Sequence, residues 1–303
     1  MHRTFHLRLA AIFAAGFTLA IGIPAPARAE TFPPLNKPAT TQQFPGKFIW
    51  ADLFTSEPTI AATFYCSLLG WTAAPVEQNE KSYIVLSSGN HPVAGIVLRA
   101  PTAKGRAGVW VGYISVVDAS LTLARVGPAG GKERAPTRHF PNRGTQAIFS
   151  DNEGSVVGIL QSTSGDPIDD EPDPGEWNWF QLFSKKPAIS AEFYRRVVSY
   201  EVNTDARIKK EKGEHLTLSK SDSARAGIAP LPDSPDSRPG WLGFLRVADI
   251  EATVAKAVAL GGKILVAPRP AALGSRSAVI SDPTGGEVGL VQYVDNANPG
   301  DRP

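Results

Sequence analysis

One cysteine in 303 residues, Cys66, excludes an internal disulfide framework, a cysteine-rich zinc site and an iron–sulfur cluster. A surplus of one charge is also lacking. The 31 basic and 29 acidic residues leave +2, which offers neither nucleic acid nor an acidic membrane a complementary surface. The apolar run Leu9–Ile23 has fifteen residues, about 22 Å as a helix, against a roughly 30 Å hydrocarbon core. The sequence has no Gly-x-x-x-x-Gly-Lys-Ser/Thr phosphate loop and no Gly-x-Ser-x-Gly elbow, and no His-x-x-x-His pair after the His2/His6 of its first residues. What remains is 42% hydrophobic and 20% charged, the balance of a folded chain. With 28 glycines and 26 prolines it is loop-rich, and its length suits two domains.

The first residues read as an address. His2, Arg3, His6 and Arg8 precede the apolar run, and Ala27-Arg28-Ala29 fits a small-x-small cleavage site before Glu30. A signal peptide over 1–29 implies export, to a bacterial periplasm, with no membrane attachment after cleavage. No cysteine stands at the cut to take a lipid. Removing 1–29 deletes three arginines and no acids, so the mature charge is −1. Cys66 falls in an apolar helical pattern and reads as a small hydrophobe.

The chain contains one domain twice. At a shift of 129, residues 48–65 and 177–194 coincide at eight positions, including Trp50/Trp179, Pro58/Pro187, Phe64/Phe193 and Tyr65/Tyr194. At 132, Tyr83 meets His215, and Ala94-Gly95-Ile96 meets Ala226-Gly227-Ile228. At 131, Trp110, Gly112 and Asp118 meet Trp241, Gly243 and Asp249, and Gly158 meets Gly289. The division is a lead-in over 30–46, copy one over 47–161, an acidic proline-rich linker over 162–176, copy two over 177–293 and a tail over 294–303. The linker reads as exposed and stiff. Within a copy, a strand alternating at Lys47–Phe54 leads to a helix opened by Pro58 and stopped by Gly70, then two strands. The order restarts at strand Val109–Val117, with Asp118 as helix cap. The pattern is βαβββ, twice per copy, an α+β arrangement. Asp151 and Asp282 read as turn closers.

The strand–helix signature ending Phe64-Tyr65…Leu69-Gly70-Trp71, and Asp282-Pro283-x-Gly285 before a final strand, resemble the vicinal oxygen chelate superfamily. That superfamily includes glyoxalase I, extradiol dioxygenases and bleomycin-resistance proteins. The resemblance spans 48–161 and 177–293 and implies paired βαβββ units curled into a half-open barrel. It also implies metal-ligand positions, which here fall on Trp50, about Val97, Gly112 and Gly158 in copy one. In copy two they fall on Trp179, about Ala229, Gly243 and Gly289. None supplies imidazole, carboxylate or thiolate, so no metal and no cofactor is expected.

Period-two geometry puts Trp50, Asp52 and Phe54 on the ligand-facing side, with Trp110, Gly112 and Ile114 from the neighbouring strand. In copy two the set is Trp179, Gln181 and Phe183 with Trp241 and Gly243. Indoles facing glycines either form a slot for a planar ligand or fill it themselves. Asp52 is the one candidate base; its alternative role is a carboxylate hydrogen-bonded at a barrel mouth. The expected function is an exported, metal-independent binder of a small, partly apolar or aromatic molecule. The alternatives are a lyase- or dioxygenase-type enzyme with a non-standard site, or a structural module. Each unit needs a partner for one sheet face, and the other copy can supply it, so a monomer with an internal pseudo-dimer is expected.

Overall fold

A computed structural model describes residues 32–76, 83–101, 108–204, 215–233, 237–271 and 274–293. The expected signal segment at 1–29 and the tail at 294–303 lie outside them. Copy one runs β1 (Phe48–Thr55), α1 (Pro58–Leu69), β2 (Thr72–Val76), β3 (Tyr83–Ser88), β4 (His91–Leu98), β5 (Val109–Ser115), α2 (Ala119–Ala124), β6 (Lys132–Phe140), β7 (Gly144–Ser150) and β8 (Val156–Ser162). Copy two repeats it as β9 (Trp177–Ser184), α3 (Pro187–Val198), β10 (Glu201–Thr204), β11 (Leu216–Lys220), β12 (Ser223–Pro230), β13 (Gly240–Arg246), α4 (Ile250–Ala259), β14 (Lys263–Pro270), β15 (Ser275–Ser281) and β16 (Glu287–Tyr293). Four βαβββ units result, the α+β repeat expected from the sequence. Local chemistry sets the helix ends. Pro58 opens α1, Gly70 closes it in the left-handed region, and Asp118 and Asp249 accept the amides of Leu121 and Ala252.

Each copy folds into one eight-stranded sheet, ordered β2-β3-β4-β1-β5-β8-β7-β6 and β10-β11-β12-β9-β13-β16-β15-β14. The two units of a copy meet along antiparallel β1 and β5, or β9 and β13. The end strands of each sheet do not pair with each other, so each sheet is an open half-barrel. One face of each sheet carries the helices and packs on the other copy; the other face is concave.

The hydrophobic cores form between copies. In one, Ile114, Phe149 and Ile159 of copy one pack with Phe193, Val197, Leu218 and Ile228 of copy two. In the other, Leu53, Phe64, Leu68 and Ile96 pack with Leu245, Val254, Ile280 and Leu290. Fully burying each such side chain is worth about 1.5–3 kcal/mol, and a copy standing alone would forfeit the part of this that the other copy covers. At the centre the rings of Phe48 and Phe180 stack at 4.1 Å, 6° from parallel. A β-carbon at Gly112 would run into both rings, and one at Gly243 into Trp177 and Phe180. Gly112 therefore marks the close approach of the two copies, and Gly243 makes room for two rings of its own copy at the same centre.

A reciprocal pair of polar relays locks this interface. Trp110 Nε1 donates to Tyr65 Oη at 2.9 Å, and Tyr65 donates to Asp282 of copy two at 2.9 Å. Trp241 Nε1 donates to Tyr194 Oη at 2.7 Å, and Tyr194 donates to Asp151 of copy one at 3.1 Å. Asp151 and Asp282 each also accept backbone amides of their own turns, through Glu153 and Ser155, and Thr284 and Gly286. They therefore close turns, as expected, and bind the other copy as well.

Two expectations change here. Trp110 and Trp241 do not join the concave face with Trp50 and Trp179. Residues directly opposite in a sheet share a face, and β5 sets Val109, Val111 and Tyr113 against Phe54, Asp52 and Trp50. In copy two Leu242 and Phe244 oppose Gln181 and Trp179. Gly112, Ile114 and Gly243 therefore also face the other copy. The linker, second, is buried at its start. Asp166 is 2% exposed and accepts the Phe44 amide at 2.6 Å and the Ser115 hydroxyl. Further on, Asp169 pairs with Lys47 and Arg225.

Candidate functional site

The two concave faces start from the same strands and end differently. On β1, Trp50 Nε1 donates to Asp52 Oδ1 at 2.8 Å, and Tyr83 from β3 donates to the same oxygen at 2.8 Å. The Tyr113 side chain from β5 lies in the same buried cluster as Trp50 and Tyr83 and feels the Asp52 charge. Gly95 on β4 leaves room for this cluster, because a β-carbon there would collide with Asp52 and Tyr83. Arg143, between β6 and β7, lays its guanidinium 4.0 Å from the centre of the Trp50 ring and donates from Nε to the Pro33 carbonyl at 2.9 Å. Arg143 is 1% exposed and Asp52 is 4% exposed.

Burial pushes the Asp52 carboxyl above its ordinary range, opposed by the Arg143 charge and by the bonds from Trp50 and Tyr83. Burial and the Asp52 charge push both tyrosine hydroxyls far up, so they act only as neutral donors. Asp52 is thus a hydrogen-bonded acceptor enclosed by its partners, with no access for a substrate proton among the described residues.

The lead-in closes what is left. The Phe32 ring meets the edges of Tyr83 and Phe140 at 4.5 Å each, and Leu35, 3% exposed, joins Trp50, Val85, Val111, Tyr113 and Leu160 in one cluster. The strap is tied down by Leu35 N to Ser164 Oγ at 2.8 Å and by Asn36 to the Asp166 carbonyl at 2.8 Å. Copy one fills its own cleft.

Copy two keeps the frame and, among the described residues, lacks the filling. Trp179 Nε1 donates to Gln181 Oε1 at 3.2 Å, the same contact two residues apart, and Gly227 makes room for Gln181 as Gly95 does for Asp52. Gln181 replaces Asp52, His215 replaces Tyr83, Phe244 replaces Tyr113, and Gly274 stands where Arg143 stands. Trp179, Gln181, Phe183, Leu242 and Phe244 are all half-buried, whereas Trp50, Asp52, Val111 and Tyr113 are buried. The structure therefore brings Trp50, Asp52 and Phe54 together on one concave face and Trp179, Gln181 and Phe183 on the other. Sequence reading missed Arg143, Tyr113 and the Phe32–Leu35 strap. The available signal was the repeat itself: at a shift of 131, an arginine in copy one meets a glycine in copy two.

The donor sets do not fit a divalent metal. Trp50, Val97 and Gly158 in copy one, and Trp179, Ala229 and Gly289 in copy two, carry no metal-binding side chain. Gly112 and Gly243 point away, and the residues facing the cleft beside them are Tyr113 and Phe244. Their rings lie over Gly158 and Gly289, where any β-carbon would collide with them. Among the described residues no three His, Cys, Asp or Glu side chains converge.

Comparison with known proteins places the chain among relatives. A family model described as the Glyoxalase/Bleomycin resistance protein/Dioxygenase superfamily matches residues 176–290, which is copy two. "Putative glyoxylase CFP32" of Mycobacterium tuberculosis is 30% identical over 239 residues, 78% of this chain and 90% of that protein. "Anthracycline biosynthesis protein DnrV" of Streptomyces peucetius is 26% identical over 266 residues, 83% of this chain and 95% of that one. Among solved structures, a Mn(II)-bound glyoxalase from Novosphingobium aromaticivorans superposes with TM-score 0.55 at 14% identity, covering 84% of this chain and 86% of that one. The 2,3-dioxygenase LapB from Pseudomonas sp. KL28 gives 0.56 at 13% identity, covering 86% and 96%. At these identities the structures share the fold alone.

Proposed function

Because the chain belongs to the glyoxalase/bleomycin resistance protein/dioxygenase superfamily, we propose that it is an exported small-molecule binder whose working site is the concave face of copy two. The ligand is partly apolar or aromatic, held by Trp179, Phe183 and Phe244 and oriented by Gln181. One observation carries this reading. Copy two retains the indole–amide frame, but among the described residues the strap and the arginine that fill copy one have no counterpart there. Apolar walls with a few placed polar groups are what small-molecule sites offer.

Copy one acts as a scaffold, with Asp52 a structural acceptor. The sharing of both cores between copies supports a monomer with an internal pseudo-dimer. The sequence of 1–29 supports export to the periplasm. The relatives' names favour one rival reading, an enzyme of the lyase or dioxygenase type, but the positions where the family resemblance puts metal ligands carry no imidazole, carboxylate or thiolate in either copy.

The test is a tryptophan-fluorescence titration of the mature chain with neutral aromatic compounds such as 1-naphthol and 9-fluorenone. Saturable quenching that Trp179→Phe removes and Trp50→Phe leaves in place supports the reading. Absence of any saturable response, or turnover of a methylglyoxal–glutathione hemithioacetal by the purified protein, overturns it.

A further inference from the structure

Copy one supplies a template for what copy two binds, since its cleft already holds an occupant. The occupant over Trp50 is planar and cationic: the Arg143 guanidinium, 4.0 Å from the ring centre. Its charge is balanced within the cluster by Asp52, whose Oδ1 also fixes the indole through Trp50 Nε1. In copy two the indole is fixed in the same way, by Trp179 Nε1 on Gln181 Oε1 at 3.2 Å. Among the described residues no planar occupant takes the guanidinium's place, position 274 being glycine. The carboxylate and the guanidinium have been lost together. What replaces the acid is an amide of nearly the same reach and no charge.

We infer that the copy-two cleft selects a neutral planar molecule, its ring stacked on Trp179 in the place of the Arg143 guanidinium and a carbonyl oxygen on Gln181 Nε2. The inference rests on the reading of that face as the working site. The amide's orientation follows from its neighbour, because an indole N–H can only donate, so the side-chain oxygen must turn to Trp179 and the nitrogen away. Gln181 Nε2 reaches the Leu182 carbonyl only at 3.5 Å, which leaves its donor capacity for an incoming acceptor. A cation on Trp179 would meet no carboxylate at Gln181, unlike the guanidinium on Trp50. It would give up its hydration without a counter-charge. A neutral ring gives up little and gains the stacking.

Benzamide and benzamidinium test this, being planar, nearly identical in shape and different in charge. Both are titrated by tryptophan fluorescence against the mature chain at pH 8, above the ordinary histidine range. The parent chain is expected to bind benzamide at least ten-fold more tightly than benzamidinium. Gln181→Asp, which restores the copy-one carboxylate, is expected to reverse that order. Gln181→Glu carries the same charge at the parent's length and serves if the shorter side chain disturbs the fold. Equal affinities in the parent, or an order unchanged in both variants, overturn charge selection while leaving the cleft as the site. No saturable response to either compound in the parent and the variants overturns the cleft and the selection together.

Discussion

Arg143→Ala is the perturbation that most directly dissects the sealed cleft. The side chain is 1% exposed, stacks on Trp50 at 4.0 Å and donates to the Pro33 carbonyl at 2.9 Å. Removing it leaves the Asp52 carboxylate buried with neutral donors only. Arg143 acts on Asp52 through space and not by a direct ion pair, so the loss is that of a nearby buried counter-charge, the ring contact and the Pro33 bond, about 1–3 kcal/mol in all. The cost must depend on pH. Burial raises the Asp52 carboxyl above its unfolded value, and the Arg143 charge opposes that rise. Without the arginine it rises further. The native state then holds a proton that the unfolded state has released, so stability falls as pH climbs from the ordinary carboxylate value through the raised one. Urea unfolding at pH 8 should show the full loss, and at pH 5 a loss smaller by about 1 kcal/mol or more. The double variant Arg143→Ala/Asp52→Asn should recover part of it, with a coupling of about 1–3 kcal/mol. A loss below about 1 kcal/mol, or the same loss at both pH values, would refute the claim that the Arg143 charge stabilises the buried Asp52 carboxylate.

Three further outcomes follow from the packing. Tyr65→Phe and Tyr194→Phe should each destabilise the protein by about 1–3 kcal/mol, since each leaves a buried aspartate and an indole N–H short of a partner. The check is denaturant unfolding, and a neutral result at both positions contradicts the relays. Residues 177–293 expressed alone should fail to give a cooperative thermal transition, because both cores take half their side chains from copy one; calorimetry decides this. Cys66, half-buried with its thiol pushed up by burial, should react with a thiol reagent at pH 7 well over ten-fold more slowly than free cysteine.

The duplication and the βαβββ order were legible because they rest on features local in the chain. Pro58 and Gly70 bound a helix, Asp118 caps one, and identities recur at nearly constant shifts. Trp110 was misplaced because alternation says which residues share a face within one strand, not how that strand is registered against its neighbour. The antiparallel pairing of Asp52 with Val111 turns the indole to the other copy. The buried start of the linker was hidden for a related reason: aspartate and proline signal solvent, yet Asp166 is enclosed by Phe44, Ser115 and Gln42. The seal over copy one could not be read locally at all. Phe32, Arg143 and Asp52 are scattered along the chain and meet only on the concave face.

Among the described residues one cleft is closed by the chain itself while its repeat is left open. Fluorine NMR of the mature protein with 5-fluorotryptophan at its six tryptophans, assigned by single Trp→Phe variants and exposed to a neutral gadolinium chelate, compares the two directly. Trp50 is 2% exposed and Trp179 half-buried, so the Trp179 resonance should broaden at chelate concentrations that leave Trp50 sharp. Equal broadening of the two, or protection of Trp179 equal to that of Trp50, would contradict it.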